Sequence, residues 1–467
     1  MWLVTCVVGA LGSGAGQSRA QLAPPPAVLP SAASAPPLVT PGSEPQPVAG
    51  GAPHVQDALP RSPLERRVAD VAALFRADPG GYNQFFDATF RAKVPDASLT
   101  QIFAGYYAQI GRCTGTKLEE KSGANGGKFT FTFEKGYTVP VSLVVGDDAS
   151  HLISGLLIGG PQKIGQTMAQ IVDELKALPG RKSLLFARLS GNTITPLVAY
   201  NEKQPLALGS AFKLYILAEL TREIEAGQRH WTDIVRLSQA QASLPSGTLQ
   251  TWPDGAPVTL HTLATFMISI SDNTATDTLL RTLGREEVES ALHTAGHSQP
   301  GLNIPFLSTL ELFRIKGDPQ GQMAGRYEKA DIATKRQLLR TAIPAIPRDK
   351  LSLSDKPSHI ATLEWFASAN DLARVMNYLR LHSATGGATP VRGILAVNPG
   401  LAPSKRWVYT GYKGGSEPGV LTMTFLLQGT NGGWYVLTGS WNNSDAPLEE
   451  ARFIGLMSSA LEIAPQS

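Results

Sequence analysis

Apolar positions recur every three or four residues across 64–75, 81–91 and 98–110, which predicts three helices, the last with Ser98 as its N-cap. The period then shortens. Runs at 116–121, 129–135, 138–145 and 152–158 read as strands, with turns at Asn125-Gly126-Gly127 and Lys135-Gly136. Helices followed by an antiparallel meander predict a small α+β domain over residues 62–162. A helix is expected over 163–178, then strands over 183–190 and 193–200, then an apolar stretch rich in helix formers over 208–220. Helical patterns follow at 261–270, 274–283, 285–294 and 368–382, and strand-like runs at 407–414, 420–428 and 434–441 precede a last helix over 447–463. Two strands before a helical middle and three after it predict one antiparallel sheet built from both ends of residues 163–467, flanked by helices beside an all-helical subdomain. The whole chain is therefore of the α+β class.

Composition adds a compartment and removes some partners. A chain of 467 residues with 42% apolar content can bury substantial cores, while a net charge of +3 without a Lys/Arg block excludes a phosphate-tracking surface, so no nucleic acid is expected. Residues 1–20 combine an apolar run, Trp2 to Leu11, with Ser18-Arg19-Ala20, the pattern of a signal peptide cut after Ala20. Export to the periplasm or beyond is expected. The apolar run is too short to span a bilayer, and Thr5 before Cys6 argues against a lipid anchor there. Residues 21–61, dense in Pro, Ala, Gly and Ser, read as a disordered tether. With the leader removed, Cys113 is the one cysteine left, expected as a small buried hydrophobe, and no intramolecular disulfide can form.

Three short motifs bear on chemistry. Ser210 and Lys213 are spaced to share one helical face, where an amine of lowered pKa could take the proton of a serine hydroxyl, and where helix N–H groups favour developing negative charge. Ser271-Asp272-Asn273 stands at a break between two helical patterns, and alone would read as an N-cap. Lys413-Gly414-Gly415 alone would read as a strand end.

In this order, Ser-x-x-Lys, Ser-Asp-Asn and Lys-x-Gly are the signature of class A β-lactamases and the related penicillin-binding enzymes, and residues 181–463 resemble that family of serine hydrolases. The first domain is similar in element order to cone-shaped isomerase or cyclase-like domains. The pair resembles the subgroup typified by the clavulanate-biosynthesis serine hydrolase. The resemblance implies that Ser210 is acylated, Lys213 helps remove its proton, and Ser271 passes a proton to the leaving group. It implies that Asn273 holds substrate and Lys213, that Lys413 anchors a substrate carboxylate, and that the N–H groups of Ser210 and Ser416 form an oxyanion hole. Gly414 and Gly415 would let the strand approach the substrate closely. Small β-lactams, esters or cell-wall-related molecules are the implied substrates, and no cofactor is implied.

Two departures separate this chain from the family pattern. Gly414 replaces the usual Thr, so a hydroxyl contact is lost that Ser416 could partly restore. The loop that presents a deacylating Glu is not visible, and Glu311, the one carboxylate near its place, has the helical, apolar setting of a structural residue. Acylation with slow release is expected. The rival reading is a noncatalytic penicillin- or cell-wall-binding protein that keeps the fold. His293 and His297 are four apart, but no Glu flanks them and Gly296 interrupts the helix, so no metal site is assigned. Residues 317–359 read as an insertion of loops marked by Pro344, Pro347 and Pro357.

Overall fold

The computed structural model describes residues 62–244, 246–401 and 404–465, so the expected leader, Cys6 and the tether lie outside the described residues. Ser62 opens α1 (Pro63–Leu74) through a capping box, accepting from Glu65 N while the Glu65 carboxylate accepts from Ser62 N. The helix expected over 81–91 is split into a 3-10 turn, Tyr82–Gln84, and a short helix, Ala88–Lys93, because the Asp87 side chain caps the second piece through Phe90 N. Pro95 starts α2 (Asp96–Ile110), ahead of the expected Ser98 cap.

Strands β1 (Cys113–Lys121), β2 (Gly126–Phe133), β3 (Tyr137–Val145) and β4 (Ile153–Ile158) form the antiparallel meander in that spatial order. Phe129, Phe131 and Phe133 alternate inward with Val139, Val141 and Leu143 and meet Val71, Phe75 and Phe103 from the helices. The Phe75 ring lies edge-on to Phe103 and Phe133, each at 5.0 Å. Cys113 is half-buried at the start of β1 rather than deep in this core, and its thiol points to Gly115 O at 3.4 Å.

The larger unit begins with α3 (Met168–Lys176), capped by Thr167 and Gln170. Strands β5 (Arg181–Ser190) and β6 (Thr193–Tyr200) lead into a 3-10 turn, Gly209–Phe212, and then α4 (Lys213–Glu225). The helical middle comprises α5 (Leu260–Ser269), α6 (Asn273–Leu283), α7 (Arg285–Thr294), α8 (Thr309–Lys316) and α9 (Ala369–His382). Strands β7 (Trp407–Glu417), β8 (Val420–Gly429) and β9 (Trp434–Asn442) and helix α10 (Glu450–Ile463) complete the chain.

The sheet runs β7-β8-β9-β5-β6, all antiparallel, so the two ends of the unit do meet, in a register that sets Phe186 opposite Leu437. Leu185, Ala187, Leu189, Leu426 and Val436 pack toward α4, while Leu184, Phe186, Phe425, Leu427 and Leu437 face α3 and α10. Coverage on both faces explains why these strands are apolar throughout. Strand β7 is left at the edge. The insertion is more ordered than its prolines suggest, with helices Met323–Lys329 and Ile332–Arg340, the second capped by Asp331.

Candidate active site

Ser210 lies in the 3-10 turn that leads into α4, and Lys213 is the first residue of the helix proper. The turn is positioned by Leu208, whose N–H donates to Trp365 O at 2.9 Å, and by the Phe212 ring stacked on Trp365 at 3.6 Å. The edge strand closes on it from the other side. A Cβ on Gly415 would fall 2.1 Å from Leu208 O and 2.4 Å from Ser210 N, and one on Gly209 would fall 2.8 Å from Ser416 N. Only glycine at 415 permits this approach, which brings the amides of Ser210 and Ser416 to one place.

Lys213 is wholly buried. Its Nζ lies 2.6 Å from Ser271 O, 2.7 Å from Asn273 Oδ1 and 3.0 Å from Ser271 Oγ. Burial and, next, the charge of Lys413 hold the amine well below its ordinary range, against the opposing pull of Asp272 and Asp277. A neutral amine has two N–H groups, and two of its three partners can only accept. In its neutral form the lone pair would be left to the remaining partner, the Ser271 hydroxyl. Among the described residues the hydrogen bonds of Lys213 run to Ser271 and Asn273, and Ser210 lies three residues before it in the turn that leads into α4.

Ser271 adopts a left-handed conformation, φ 57°, between α5 and α6. Such a residue costs about 1–3 kcal/mol and persists where its surroundings over-determine it. Here they do. Its carbonyl accepts from Lys213 and from Ser246 Oγ at 2.7 Å, and its hydroxyl accepts from Lys413 Nζ at 3.1 Å. Asp272 caps α6 through Ala275 N at 2.8 Å and anchors the neighbouring loop through Thr248 N and Leu249 N. Asn273 is fixed by Leu244 O, which accepts from its Nδ2 at 3.1 Å. Ser210, Lys213, Ser271, Asn273, Lys413, Gly414, Gly415 and Ser416 thus come from separate stretches of chain to one edge of the sheet.

Glu311 is placed otherwise. Its two oxygens accept from Arg285, at 2.6 and 3.0 Å, and one also accepts from Ser308 N at 2.8 Å, closing a capping box at the start of α8. The pattern Ser308-x-x-Glu311 before an apolar run is the signal for that role. Asp277, absent from the sequence-based candidates, is fully buried and accepts from Thr309 N, Thr309 Oγ1 and Leu310 N at 2.7–2.9 Å, tying α6 to α8. Burial raises its pKa against those bonds.

A second buried charge cluster adjoins the edge strand. Lys316 Nζ meets Glu364 Oε1 at 2.6 Å and Glu417 Oε1 at 2.7 Å, clamping the two chain segments that flank the insertion to the residue after Ser416. Burial and the neighbouring Glu364 push the Glu417 carboxyl well up, with Lys316 opposing. The imidazole of His297 is used in packing: Nε2 contacts Phe366 O at 2.8 Å and Nδ1 accepts from Gln299 N at 3.0 Å. Among the described residues no three His, Cys, Asp or Glu side chains converge as a metal set, and no helix is long and apolar enough to cross a membrane. A cavity of about 580 Å³ opens between α10 and the first domain, lined by Tyr137, Lys163, Glu174, Glu450 and Ser459 among others; none of the site residues reaches it.

No curated protein matches this chain. Among solved structures, a beta-lactamase from Sphaerobacter thermophilus is 19% identical and aligns over 63% of this chain and 97% of its own, with a TM-score of 0.45. The penicillin-binding protein PBP-A is 17% identical over 62% of this chain and 93% of its own, with a TM-score of 0.42. A beta-lactamase from Chitinophaga pinensis is 13% identical over 62% and 94%, with a TM-score of 0.42. Residues 166–380, which hold Ser210, Lys213, Ser271 and Asn273 but stop short of Lys413, match the sequence model of the beta-lactamase enzyme family, and it is to that family that this part of the chain is similar.

Proposed function

We propose that this protein is a β-lactamase-like serine hydrolase, acylated at Ser210 by β-lactams or related esters and amides. The observation that supports the reading best is the buried Lys213 amine, held low in pKa and bonded to Ser271 and Asn273 one turn from Ser210. In this reading the Lys213 lone pair takes the Ser210 proton as Oγ attacks the substrate carbonyl. The tetrahedral oxyanion is met by the N–H groups of Ser210 and Ser416, each worth about 3 kcal/mol in comparable sites. The proton then passes through Ser271 Oγ to the leaving nitrogen or oxygen, while the cation of Lys413 disfavours its retention on Lys213.

Release is the slower half. Glu311 is committed to Arg285 and to its helix cap, and Asp272 and Asp277 to backbone N–H groups, so none is offered as a base for the deacylating water. This favours slow turnover, and it keeps a penicillin-binding role without turnover as the second reading. We further read residues 62–162 as a cyclase-like domain that shapes substrate access, and residues 1–61 as signal peptide and tether of a protein that works in the periplasm or outside the cell.

Intact-protein mass spectrometry after exposure to a panel of β-lactams and activated esters tests this function. A mass increase of one acyl group that persists for minutes, and that is abolished by Ser210→Ala, is expected. No increase with any member of the panel on folded protein contradicts it.

A further inference from the structure

Two stretches of chain hold the Ser210 turn, and one ammonium joins them. On one side Trp365 O accepts from Leu208 N at 2.9 Å and the Trp365 ring stacks on Phe212. On the other, β7 brings Gly415 against Leu208 O and Ser210 N, and the Ser416 amide against Gly209. As an edge strand, β7 has no ladder on its outer side to set how far it stands from the turn. Glu364 is the residue before Trp365, and Glu417 is the residue after Ser416. Lys316 Nζ bonds to both carboxylates, and the Lys316, Glu364 and Glu417 side chains are only 9%, 0% and 14% exposed, so water and salt screen the bonds little.

The direction of the pull follows from the pleat. Gly415 and Glu417 share a face of β7, the face that meets the nucleophile turn, so a bond to the Glu417 side chain draws the strand toward that turn. Lys316 is itself placed from the site, because it ends α8, whose start is tied through Thr309 N and Leu310 N to Asp277 on α6, the helix that Asn273 opens. Two carboxylates on one buried ammonium leave a surplus negative charge. A proton kept on Glu417 removes it, and Glu364 Oε2, buried and otherwise without a donor, can accept that proton. We propose that Lys316 is a positioning residue for the oxyanion hole, which sets the separation of the Ser210 and Ser416 N–H groups by holding Glu364 and Glu417 together. The inference rests on acylation at Ser210. It assigns part of the acylation rate to a side chain that touches neither substrate nor nucleophile.

The test follows acylation of the full chain by penicillin G over a range of concentrations, which separates the limiting rate of adduct formation from the dissociation constant of the preceding complex. Lys316→Met is expected to lower the limiting rate about tenfold, less than the loss of a whole oxyanion donor, and to leave the dissociation constant within about twofold. The split arises because the donors act on charge that develops only in the transition state. Lys316→Met with Glu364→Gln and Glu417→Gln removes the three charges together at nearly constant volume, and is expected to fold, as read by thermal unfolding, and to show the same loss. In both variants the preference for an activated ester over its thionoester is expected to shrink by the same factor, since sulfur accepts hydrogen bonds weakly and gains little from the hole. An unchanged limiting rate in the folded triple variant overturns the role of Lys316, and so does a lowered rate with an unchanged ester-to-thionoester ratio. Either result leaves acylation at Ser210 standing. No adduct on wild-type Ser210 with any of these probes overturns both.

Discussion

Lys213 and Glu311 are two ionisable groups packed against the same helical middle, and their surroundings use them in opposite ways. Lys213 is buried beside another cation, and among the described residues its bonds run to no carboxylate, so its pKa is pushed down despite the charges of Asp272 and Asp277. Glu311 is bound by a guanidinium and a backbone N–H, which occupy its oxygens with donors. An environment that withholds opposite charge prepares a base. One that supplies it makes a brace. In the proposed reading, the difference separates an acylation half of the site from a deacylation half in which Glu311, Asp272 and Asp277 are already engaged.

Substitutions can break this contrast at several depths. Lys213→Met keeps the volume and removes the amine, and should slow acylation of Ser210 about 10²–10⁴-fold, the span of a general base, as read by adduct formation over time. Gly415→Ala forces a methyl group against Leu208 O and Ser210 N, parts the two candidate oxyanion donors, and should cost about 10²–10³-fold in the same rate. Lys413→Ala removes a charge that lowers the Lys213 pKa. The amine then stays protonated to higher pH, so the rising limb of the acylation profile should move to higher pH, with the plateau rate lower by about tenfold or more. Glu311→Gln should leave the lifetime of the acyl-enzyme within about twofold while costing about 1–3 kcal/mol of stability by denaturant unfolding, since it weakens an ion pair and a helix cap. Accumulation of acyl-enzyme in that variant would instead give Glu311 a catalytic role.

Much of this geometry is legible in the sequence. The strands at both ends of residues 163–467 pair into one sheet, and its inner strands β8 and β9 carry apolar runs buried on both faces, a pattern a sequence displays directly. The three motifs converge on its edge. What the sequence does not display is distance across the fold. Asp277 sits amid Thr-rich helix and becomes a clamp only once α8 folds onto it. The Lys316, Glu364 and Glu417 cluster joins residues far apart in the chain, with no local pattern to flag it. The split at Asp87 and the Ser308 capping box are different, because both signals are present and local. Helical periodicity over 81–91 hides the first, and the second shares its carboxylate with a catalytic reading of Glu311.

A neutral Lys213 serving Ser210 is the central claim, and the pH dependence of acylation tests it most directly. The rate of adduct formation with penicillin G, followed by intact mass and located by peptide mapping, should rise through one ionisation well below the ordinary lysine range and then level off. All of the adduct should lie on Ser210. A rate that climbs only as pH approaches about 10.4, the value of an unperturbed lysine, or an adduct on another residue, would contradict it.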